Sequence, residues 1–301
     1  MTSSPPLIEF TAVEKRFGRS SALAGLDLSV AENEVHGFLG PNGAGKSTAI
    51  RIMLGLLRAS AGSVRVLHRD PWRDSAAIHR DLAYVPGDVA LWPGLTGGET
   101  IDMLTALRGG RDEARLAELV RDFDLDVRKR SRSYSKGNRQ KVALIAAFAQ
   151  PAQLYLLDEP TSGLDPLMEA VFRHWVERVH GEGATVLLSS HIFAEVEHLC
   201  DRVTIIKEGA AVESGSLADL RHLSRTHYRV RLPFDADTAA LRSAHDVRRV
   251  DDDTVEFAAD AADTTGVLAQ LAALGATGIT AAPPSLEELF LQHYSRNGAA
   301  S

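Results

Sequence analysis

A nine-residue segment near the start of the chain has the residue types of a polyphosphate-binding loop. It fits the pattern G-x-x-x-x-G-K-[ST] and consists of Gly40, Pro41, Asn42, Gly43, Ala44, Gly45, Lys46, Ser47 and Thr48. The glycines let backbone N–H groups close around an anion, and the dipole of a following helix favours negative charge. Lys46 would reach the β- and γ-phosphates, and the Ser47 hydroxyl would coordinate Mg²⁺. The segment predicts binding of a nucleoside triphosphate, with a chance glycine-rich turn as the alternative.

Two adjacent carboxylates follow an apolar run in the middle of the chain. Asp158 and Glu159 come directly after Leu-Tyr-Leu-Leu, a run that is typical of a buried strand. An aspartate at the end of a strand is the usual second anchor of Mg²⁺ in phosphate-loop enzymes. A glutamate beside it can orient or deprotonate an attacking water. Such a pair alone is more often a solvated turn, but together with the phosphate loop it favours a hydrolytic site.

A third segment, Tyr-Ser-Lys-Gly-Asn, runs from Tyr134 to Asn138 and leads into an apolar helix. Ser135 is a suitable N-cap for that helix, and a helix N-terminus attracts anions. Because the phosphates bound by this chain are already assigned to Lys46, a second anion site makes sense if it serves the nucleotide of a partner chain. A plain capped helix is the alternative.

Taken together, these segments resemble those of the ATP-binding subunits of ABC-type transporters. The signature loop of that family normally reads Leu-Ser-Gly-Gly-Gln. This chain keeps Ser135 and Gly137 and differs at three positions, among them Lys136 and Asn138. The resemblance covers about residues 7–216. It implies ATP hydrolysis with Mg²⁺ by a head-to-tail homodimer that sandwiches its nucleotides and drives a separate integral-membrane permease.

The resemblance also implies roles for residues that the chemistry of single segments does not assign. Asp165 matches a loop that communicates across the dimer, His191 matches a switch histidine that contacts the γ-phosphate, and Phe17 matches an aromatic residue that stacks on adenine. For Phe17 the alternative is core packing, and a lone histidine is more often structural. The implied catalytic residues are Glu159, His191 and Lys46. The implied nucleotide contacts are Phe17, the nine phosphate-loop residues, Ser135, Lys136, Gly137, Asn138, Asp165 and His191, with Ser47 and Asp158 at the metal.

One position departs from the family in a way that affects the metal. Gly87 stands where the family has a glutamine that contacts Mg²⁺ and the permease. Either Asp88 substitutes or a water completes the coordination; we expect the water, with Ser47 as the direct protein ligand and Asp158 acting indirectly. The flanking apolar segment around Trp92 suits a groove for a partner helix. Ordinary packing within the chain is an equally good interpretation of Trp92.

Short apolar runs alternate with helical ones up to residue 216, which is typical of an α/β fold with a buried parallel sheet. The resemblance implies the P-loop NTPase fold of the ABC ATPases, with a helical subdomain at about residues 88–150. Predicted strands span Leu7–Ala12, Leu26–Val30, Val35–Leu39, Gln153–Leu157, Thr185–Ser189 and Arg202–Ile206. Predicted helices span Lys46–Leu57, Leu167–His180 and Phe193–Leu199.

The composition changes near residue 220, beyond the last lysine at Lys207. We therefore expect an ATPase domain at 1–220 and a C-terminal accessory domain at 221–301. Its pattern predicts an α+β domain with a ferredoxin-like order of elements. The predicted elements are strands His227–Leu232, Val247–Val250, Thr254–Phe257 and Thr277–Ala281, and helices Ala236–Arg242, Thr265–Leu274 and Ser285–Tyr294.

The last predicted helix places Leu286, Leu289 and Phe290 in one apolar stripe, with His293 at the next position of that stripe. The stripe would dock on the ATPase domain or across the dimer, with core packing inside the tail domain as the alternative. The end of the chain resembles the C-terminal domain of bacterial drug- and antibiotic-export ATPases of the daunorubicin type. That resemblance implies a multidrug or antibiotic exporter.

Charge and hydropathy narrow the classes of function. The 33 basic and 40 acidic residues give a net charge of −7, which disfavours a general nucleic-acid binder. We expect no signal peptide, and no apolar run approaches the roughly 18 residues that would span a bilayer. The expected location is the cytoplasmic face of the membrane, through the permease. The single cysteine, Cys200, excludes an internal disulfide framework and is expected to be a buried small apolar residue.

Two alternatives to an exporter ATPase remain. The first is a soluble ABC-type ATPase that acts on nucleic acid or ribosomes. The acidic balance disfavours it, as does the lack of a second cassette or of coiled-coil insertions. The second is an importer ATPase, against which the exporter-like tail argues.

Overall fold

The computed structural model describes residues 5–222, 225–234, 236–260 and 263–282, with the side chains of residues 220–222 left out. The chain divides into two compact units, Met1–Ser214 and Gly215–Ser301. The predicted helix Ser285–Tyr294, with its apolar stripe, lies outside the described residues.

A six-stranded sheet forms the centre of the first unit, in the order β5-β6-β7-β3-β8-β9. The pairings from β5 to β8 are parallel, and every residue of β3, β6 and β7 is buried. Burial on both faces explains why these strands are mainly apolar. A second sheet, β2-β1-β4, is antiparallel. The strands are β1 (Ile8–Phe17), β2 (Ser20–Val30), β3 (Val35–Leu39), β4 (Ala61–Val66), β5 (Leu82–Val85), β6 (Leu154–Asp158), β7 (Thr185–Ser190), β8 (Arg202–Lys207) and β9 (Ala210–Ser216).

Seven α-helices of the first unit are described: α1 (Lys46–Met53), α2 (Ser75–Ile78), α3 (Gly97–Ala106), α4 (Glu113–Asp122), α5 (Lys136–Phe148), α6 (Pro166–Gly181) and α7 (Phe193–Leu199). A 3₁₀ turn spans Ser131–Ser133. The first helix ends four residues before its predicted end at Leu57, because Gly55 adopts φ +67°, the left-handed conformation that terminates helices. Side chains of Thr96, Asp112, Ser135 and Asp165 cap α3, α4, α5 and α6.

An aromatic cluster fixes α5 against β6 and α6. The ring of Phe148 lies 5.4 Å from that of Tyr155 and 6.3 Å from that of Trp175, and all three are buried. Arg115 of α4 donates through Nε to the Phe148 carbonyl at 2.7 Å and through Nη1 to Glu182. Since α5 is held at its C-terminus in this way, its N-terminus at Ser135 has a defined position relative to the end of β6.

The second unit contains a four-stranded antiparallel sheet in the order β11-β12-β10-β13. Its core includes Tyr228, Val230, Phe257, Val267 and Leu271. Its elements are α8 (Leu217–His222), β10 (Arg225–Arg231), a 3₁₀ turn (Thr238–Ala240), β11 (Ala244–Arg249), β12 (Thr254–Asp260), α9 (Thr264–Ala273) and β13 (Thr277–Ala282).

The prediction of a helix over Ala236–Arg242 was wrong, since this segment contains only the 3₁₀ turn. The Asp237 side chain accepts a hydrogen bond from the Ala239 N–H at 3.0 Å. This bond caps the N-terminus of the turn. The turn ends at Leu241, whose φ of −78° and ψ of 73° are not helical, and the Arg242 N–H there donates to the Ala240 carbonyl at 3.0 Å.

Candidate active site

The phosphate-binding segment connects β3 to α1, as its motif requires. Gly45 precedes the helix with φ +113°, and a Cβ there would lie 2.7 Å from the Ala22 carbonyl oxygen, so only glycine fits. Lys46 is buried, and its Nζ donates to the Gly40 carbonyl at 2.6 Å and to the Pro41 carbonyl at 3.3 Å. Burial lowers the pKa of Lys46, and the nearby Glu159 and Asp158 partly oppose that shift. The loop thus holds a cation against carbonyl oxygens that phosphate oxygens could replace.

The two predicted carboxylates lie at the end of β6, beside the end of β7. Asp158 is buried, and its Oδ1 accepts a 2.5 Å hydrogen bond from the Ser189 hydroxyl. Glu159 has φ +47°, an uncommon conformation for a residue other than glycine, and its N–H donates to the Ser189 carbonyl at 3.1 Å. This turn directs Glu159 away from the strand. Ser189 therefore orients both carboxylate residues, a role that sequence reasoning missed; hydroxyl residues ending an apolar strand were its only signal.

Glu159 lies between the phosphate loop and the predicted switch histidine. Its Oε1 is 3.9 Å from Lys46 Nζ and 3.2 Å from His191 Nδ1. Glu159 is about one quarter exposed, and His191 about one half. The three residues come from the carboxyl ends of β3, β6 and β7, where ligands bind in open α/β sheets. The structure thus brings together Lys46, Asp158, Glu159 and His191, which are far apart in sequence.

The N-terminus of α5 forms a separate cluster with the loop after Glu159. Ser135 accepts from the Asn138 N–H at 3.3 Å, and Lys136 Nζ donates to the Ser162 hydroxyl at 2.6 Å. A Cβ on Gly137 would lie 2.4 Å from the Gly163 carbonyl oxygen, so the close approach requires glycine. These contacts join the predicted signature segment to residues 162–163 of its own chain.

Three further predicted contact residues, Asp165, Phe17 and Ser47, are exposed. Asp165 is exposed and caps α6, accepting from the Met168 N–H at 3.0 Å. Phe17 is 49% exposed at the end of β1, with Lys15 Nζ 5.0 Å from its ring centroid. Core packing is therefore the wrong interpretation of Phe17. Ser47 is exposed at the second position of α1.

The position of Gly87 faces the same carboxylate. A Cβ built on Gly87 would lie 3.2 Å from the Asp158 carbonyl oxygen and 3.7 Å from Asp158 Cγ, so a longer side chain would begin beside the carboxyl group. Asp88 is exposed. Burial, with Asp158 as the second cause, raises the pKa of Tyr84 in the preceding strand to about 12.

An apolar groove of about 270 Å³ follows this loop. It is lined by residues of β5, the 86–92 loop, α3 and α5, among them Tyr84, Val89, Trp92, Leu104 and Ala143. Trp92 is 52% exposed at this groove, so the surface interpretation of Trp92 fits better than packing in the interior.

Cys200 is buried, as expected, and burial raises the pKa of its thiol. Among the described residues, no cluster of three or more His, Cys, Asp or Glu side chains could hold a metal ion. In the same part of the chain, no helix is long and apolar enough to cross a membrane.

Comparison with known proteins identifies the family. Residues 23–162 match the family model described as ABC transporter. The daunorubicin resistance ATP-binding protein DrrA3 of Streptomyces coeruleorubidus is 37% identical over 219 residues, which cover 71% of this chain and 69% of that protein. The chain belongs to the ABC transporter ATP-binding proteins.

Two further similarities support the assignment of this chain to the ABC ATPase family. The linearmycin resistance ATP-binding protein LnrL of Bacillus subtilis (strain 168) is 29% identical over 302 residues, which cover 95% of this chain and 97% of that protein. A solved structure of the ATP-binding subunit of an ABC transporter matches with a TM-score of 0.67 at 30% identity, covering 72% of this chain and 92% of that one. The predicted α/β fold of the ABC P-loop ATPases is confirmed. The family binds and hydrolyses ATP, which confirms the predicted enzyme class.

Proposed function

We propose that this ABC ATPase is the energy-coupling subunit of a drug or antibiotic exporter. It would act at the cytoplasmic face of the membrane through a separate integral-membrane permease. Similarity to proteins named for daunorubicin and linearmycin resistance supports the exporter class. The observation that carries the chemistry is the position of Glu159 between Lys46 and His191.

ATP binding begins at the phosphate loop. The buried Lys46 ammonium and the backbone N–H groups at the start of α1 supply the positive charge that a triphosphate needs. Phosphate oxygens would replace the Gly40 and Pro41 carbonyls as partners of Nζ and form stronger, charge-assisted hydrogen bonds. The exposed ring of Phe17 is available to stack on the adenine base. Asn42, Gly43, Ala44 and Thr48 complete the proposed loop contacts.

The residues at the phosphates fit Mg²⁺, because hydroxyl and carboxylate oxygens are the ligands that this ion prefers. Ser47 would hold it directly and Asp158 indirectly, and Ser189 keeps Asp158 in place. When bound, the ion neutralises charge that develops on the phosphates.

Glu159 is the proposed general base for the attacking water. The left-handed turn at Glu159 presents its carboxylate at the open end of the sheet, and Lys46 and His191 lie on either side of Oε1. His191 would contact the γ-phosphate and orient Glu159. A base in hydrogen-bond reach of the water takes up its proton as the oxygen attacks phosphorus.

A second copy of the chain would complete the site. We propose that Ser135, Lys136, Gly137 and Asn138 contact the nucleotide bound by the partner in a head-to-tail homodimer. The capped N-terminus of α5 supports this role, because Ser135 and Lys136 are exposed there. Asp165, exposed in the following loop, would lie at the dimer interface.

We propose that the apolar groove beside Trp92 receives a helix of the permease. Its lining is mainly apolar, and its loop leads directly from Gly87, whose neighbour across the chain is Asp158. Movement of the permease helix would thus reach the metal side of the site.

We propose domains of about residues 1–220 and 221–301, with a helical subdomain at about 88–150; the two compact units divide slightly earlier, between Ser214 and Gly215, so that α8 lies in the second unit. A ferredoxin-like type for the second domain is supported by its antiparallel sheet order and by α9. The 3₁₀ turn stands where that type has its first helix.

Replacement of Glu159 by glutamine separates binding from hydrolysis. The amide keeps the side-chain shape but cannot accept a proton, so Glu159→Gln should bind ATP normally and lose turnover by about 100-fold or more. Lys46→Ala should weaken both ATP binding and turnover. Phosphate release and calorimetric ATP titration measure the two quantities, with Glu177→Gln, an exposed carboxylate on α6, as the control. With the permease in vesicles, Glu159→Gln should also abolish drug efflux. Near-normal turnover would remove Glu159 from this role.

Substitutions of Gly87 and Asp88 test which residues hold Mg²⁺. Gly87→Gln should be tolerated and lower the Mg²⁺ concentration needed for half-maximal hydrolysis, because its side chain begins beside Asp158. Asp88→Ala should change that concentration by less than about tenfold, the low end for groups acting indirectly on a metal. The Mg²⁺ dependence of phosphate release gives both values. A larger effect of Asp88→Ala would make Asp88 a metal ligand.

A bulky side chain at the start of α5 tests the proposed dimer interface. ATP should double the mass of Glu159→Gln in light scattering, because unhydrolysed nucleotide stays between the two copies. Adding Ser135→Arg should prevent this, since the long side chain occupies the place of the phosphate. Ser63→Arg, an exposed position on β4, is the matched control and should still dimerise. Dimerisation of the Ser135→Arg protein would contradict the proposed interface.

A further inference from the structure

A carboxylate outside the predicted site joins the two loops that carry Glu159 and His191. Glu195 lies in the first turn of α7 and is half-buried. Its Oε1 accepts a 2.7 Å hydrogen bond from the Thr161 hydroxyl, and its Oε2 accepts a 2.9 Å hydrogen bond from the Ser190 hydroxyl. Thr161 is two residues after Glu159, and Ser190 directly precedes His191. One side chain therefore bridges both loops.

The bridge continues into the backbone on the histidine side. The Ser190 hydroxyl also accepts a 2.9 Å hydrogen bond from the Ile192 N–H. Ser190 is buried, so this hydroxyl is shielded from competing water. The backbone on both sides of His191 is thus tied, through Ser190, to the carboxylate of Glu195.

On the other side, the loop after Glu159 is tied to α5. Gln140 Nε2 donates to the Pro160 carbonyl at 2.9 Å, and Lys136 Nζ donates to Ser162 at 2.6 Å. Thr161 lies between these two contacts and points its hydroxyl to Glu195. Glu195 therefore connects the histidine loop to a segment that α5 already holds.

We propose that Glu195 is a positioning residue for ATP hydrolysis, which fixes the loop of Glu159 relative to the loop of His191. The inference rests on the roles proposed above for those two residues. A carboxylate suits the task because it has two oxygens that only accept, one for each hydroxyl. Between the Glu159 and His191 side chains the link is their 3.2 Å contact, and the His191 side chain is about half exposed; the Glu159 N–H also donates to the Ser189 carbonyl before the histidine loop. Glu195 supplies a further link, between the segments that follow these contacts, and it does not depend on nucleotide contacts.

The kinetic test compares alanine and glutamine at position 195. Glu195→Ala should lower kcat by about 10- to 100-fold, since a shift of about 1 Å in a catalytic group has an effect of that order. KM for ATP should change by less than about threefold, because the contacts of the phosphate loop are untouched. Glu195→Gln should stay within about fivefold of wild type, since its oxygen accepts from one hydroxyl and the other hydroxyl can rotate to accept from the amide. Glu177→Gln on α6 serves as the control.

A double-mutant cycle distinguishes positioning from general stability. If Glu195 acts through the histidine loop, Glu195→Ala should add less than about twofold to the kcat loss of His191→Ala. Fully multiplicative losses, or a wild-type kcat for Glu195→Ala, would overturn the proposal. So would an equal loss in Glu195→Ala and Glu195→Gln.

A substitution of Thr161 that keeps the shape of its side chain tests the proposal even if Glu195→Ala does not fold. Thr161→Val removes one hydroxyl of the bridge and should lower kcat about fivefold, whereas Thr161→Ser, which keeps the hydroxyl, should not. Equal activity of the two would overturn the proposal. Failure of the proposed function is separate: the wild-type chain would then lack ATP hydrolysis, or Glu159→Gln would keep it, whatever the result at position 195.

Discussion

A buried ammonium group sets the main constraint on this structure. Lys46 lies inside a loop whose Gly40 and Pro41 carbonyls accept its hydrogen bonds, and burial lowers the pKa of that ammonium. A buried cation is costly unless groups of opposite charge or dipole face it. The parallel sheet meets this need by ending β3 and β6 side by side with β7, so that Asp158 and Glu159 lie near the cation. The arrangement is best satisfied when a polyanion enters the loop.

The turn at Glu159 shows how the fold converts strand geometry into chemistry. A strand that continued straight would alternate its side chains across the sheet, and adjacent residues would face opposite sides. The left-handed conformation of Glu159 interrupts this alternation, and Ser189 stabilises it by accepting from the Glu159 N–H. Asp158 stays in the buried end of the strand while Glu159 reaches towards His191. Two neighbouring carboxylates thereby acquire different surroundings and different proposed tasks.

Local signals in the sequence were sufficient to predict the bounds of some helices and strands. The bounds of β3 and α7 agree with the predicted ones, because apolar runs and helical spacing determine them. The early end of α1 depended on Gly55, whose left-handed conformation is a common helix stop. The helix predicted over Ala236–Arg242 is reduced to the 3₁₀ turn Thr238–Ala240 because the backbone leaves the helical conformation at Leu241, a change that the helical pattern of the sequence did not indicate.

The site was predictable where a motif fixes it and unpredictable where tertiary packing fixes it. Lys46, Asp158 and Glu159 followed from spacing. The exposure of Phe17 followed only from the family resemblance, since an aromatic residue at a strand end fits either surface or core. The contact of Lys136 with Ser162 joins residues 26 positions apart. The Glu195 bridge to Thr161 joins residues 34 positions apart and depends on where α7 packs. Neither contact therefore has a local signal in the sequence.

A crystal structure of Glu159→Gln with ATP would show where the nucleotide binds and what Lys46 contacts. We expect Lys46 Nζ to leave the Gly40 carbonyl and lie about 2.8 Å from phosphate oxygens, the usual length of a charge-assisted hydrogen bond. The phosphates should lie over the N-terminus of α1. A nucleotide bound elsewhere, with Lys46 still bonded to Gly40 and Pro41, would show that this loop does not bind the phosphates.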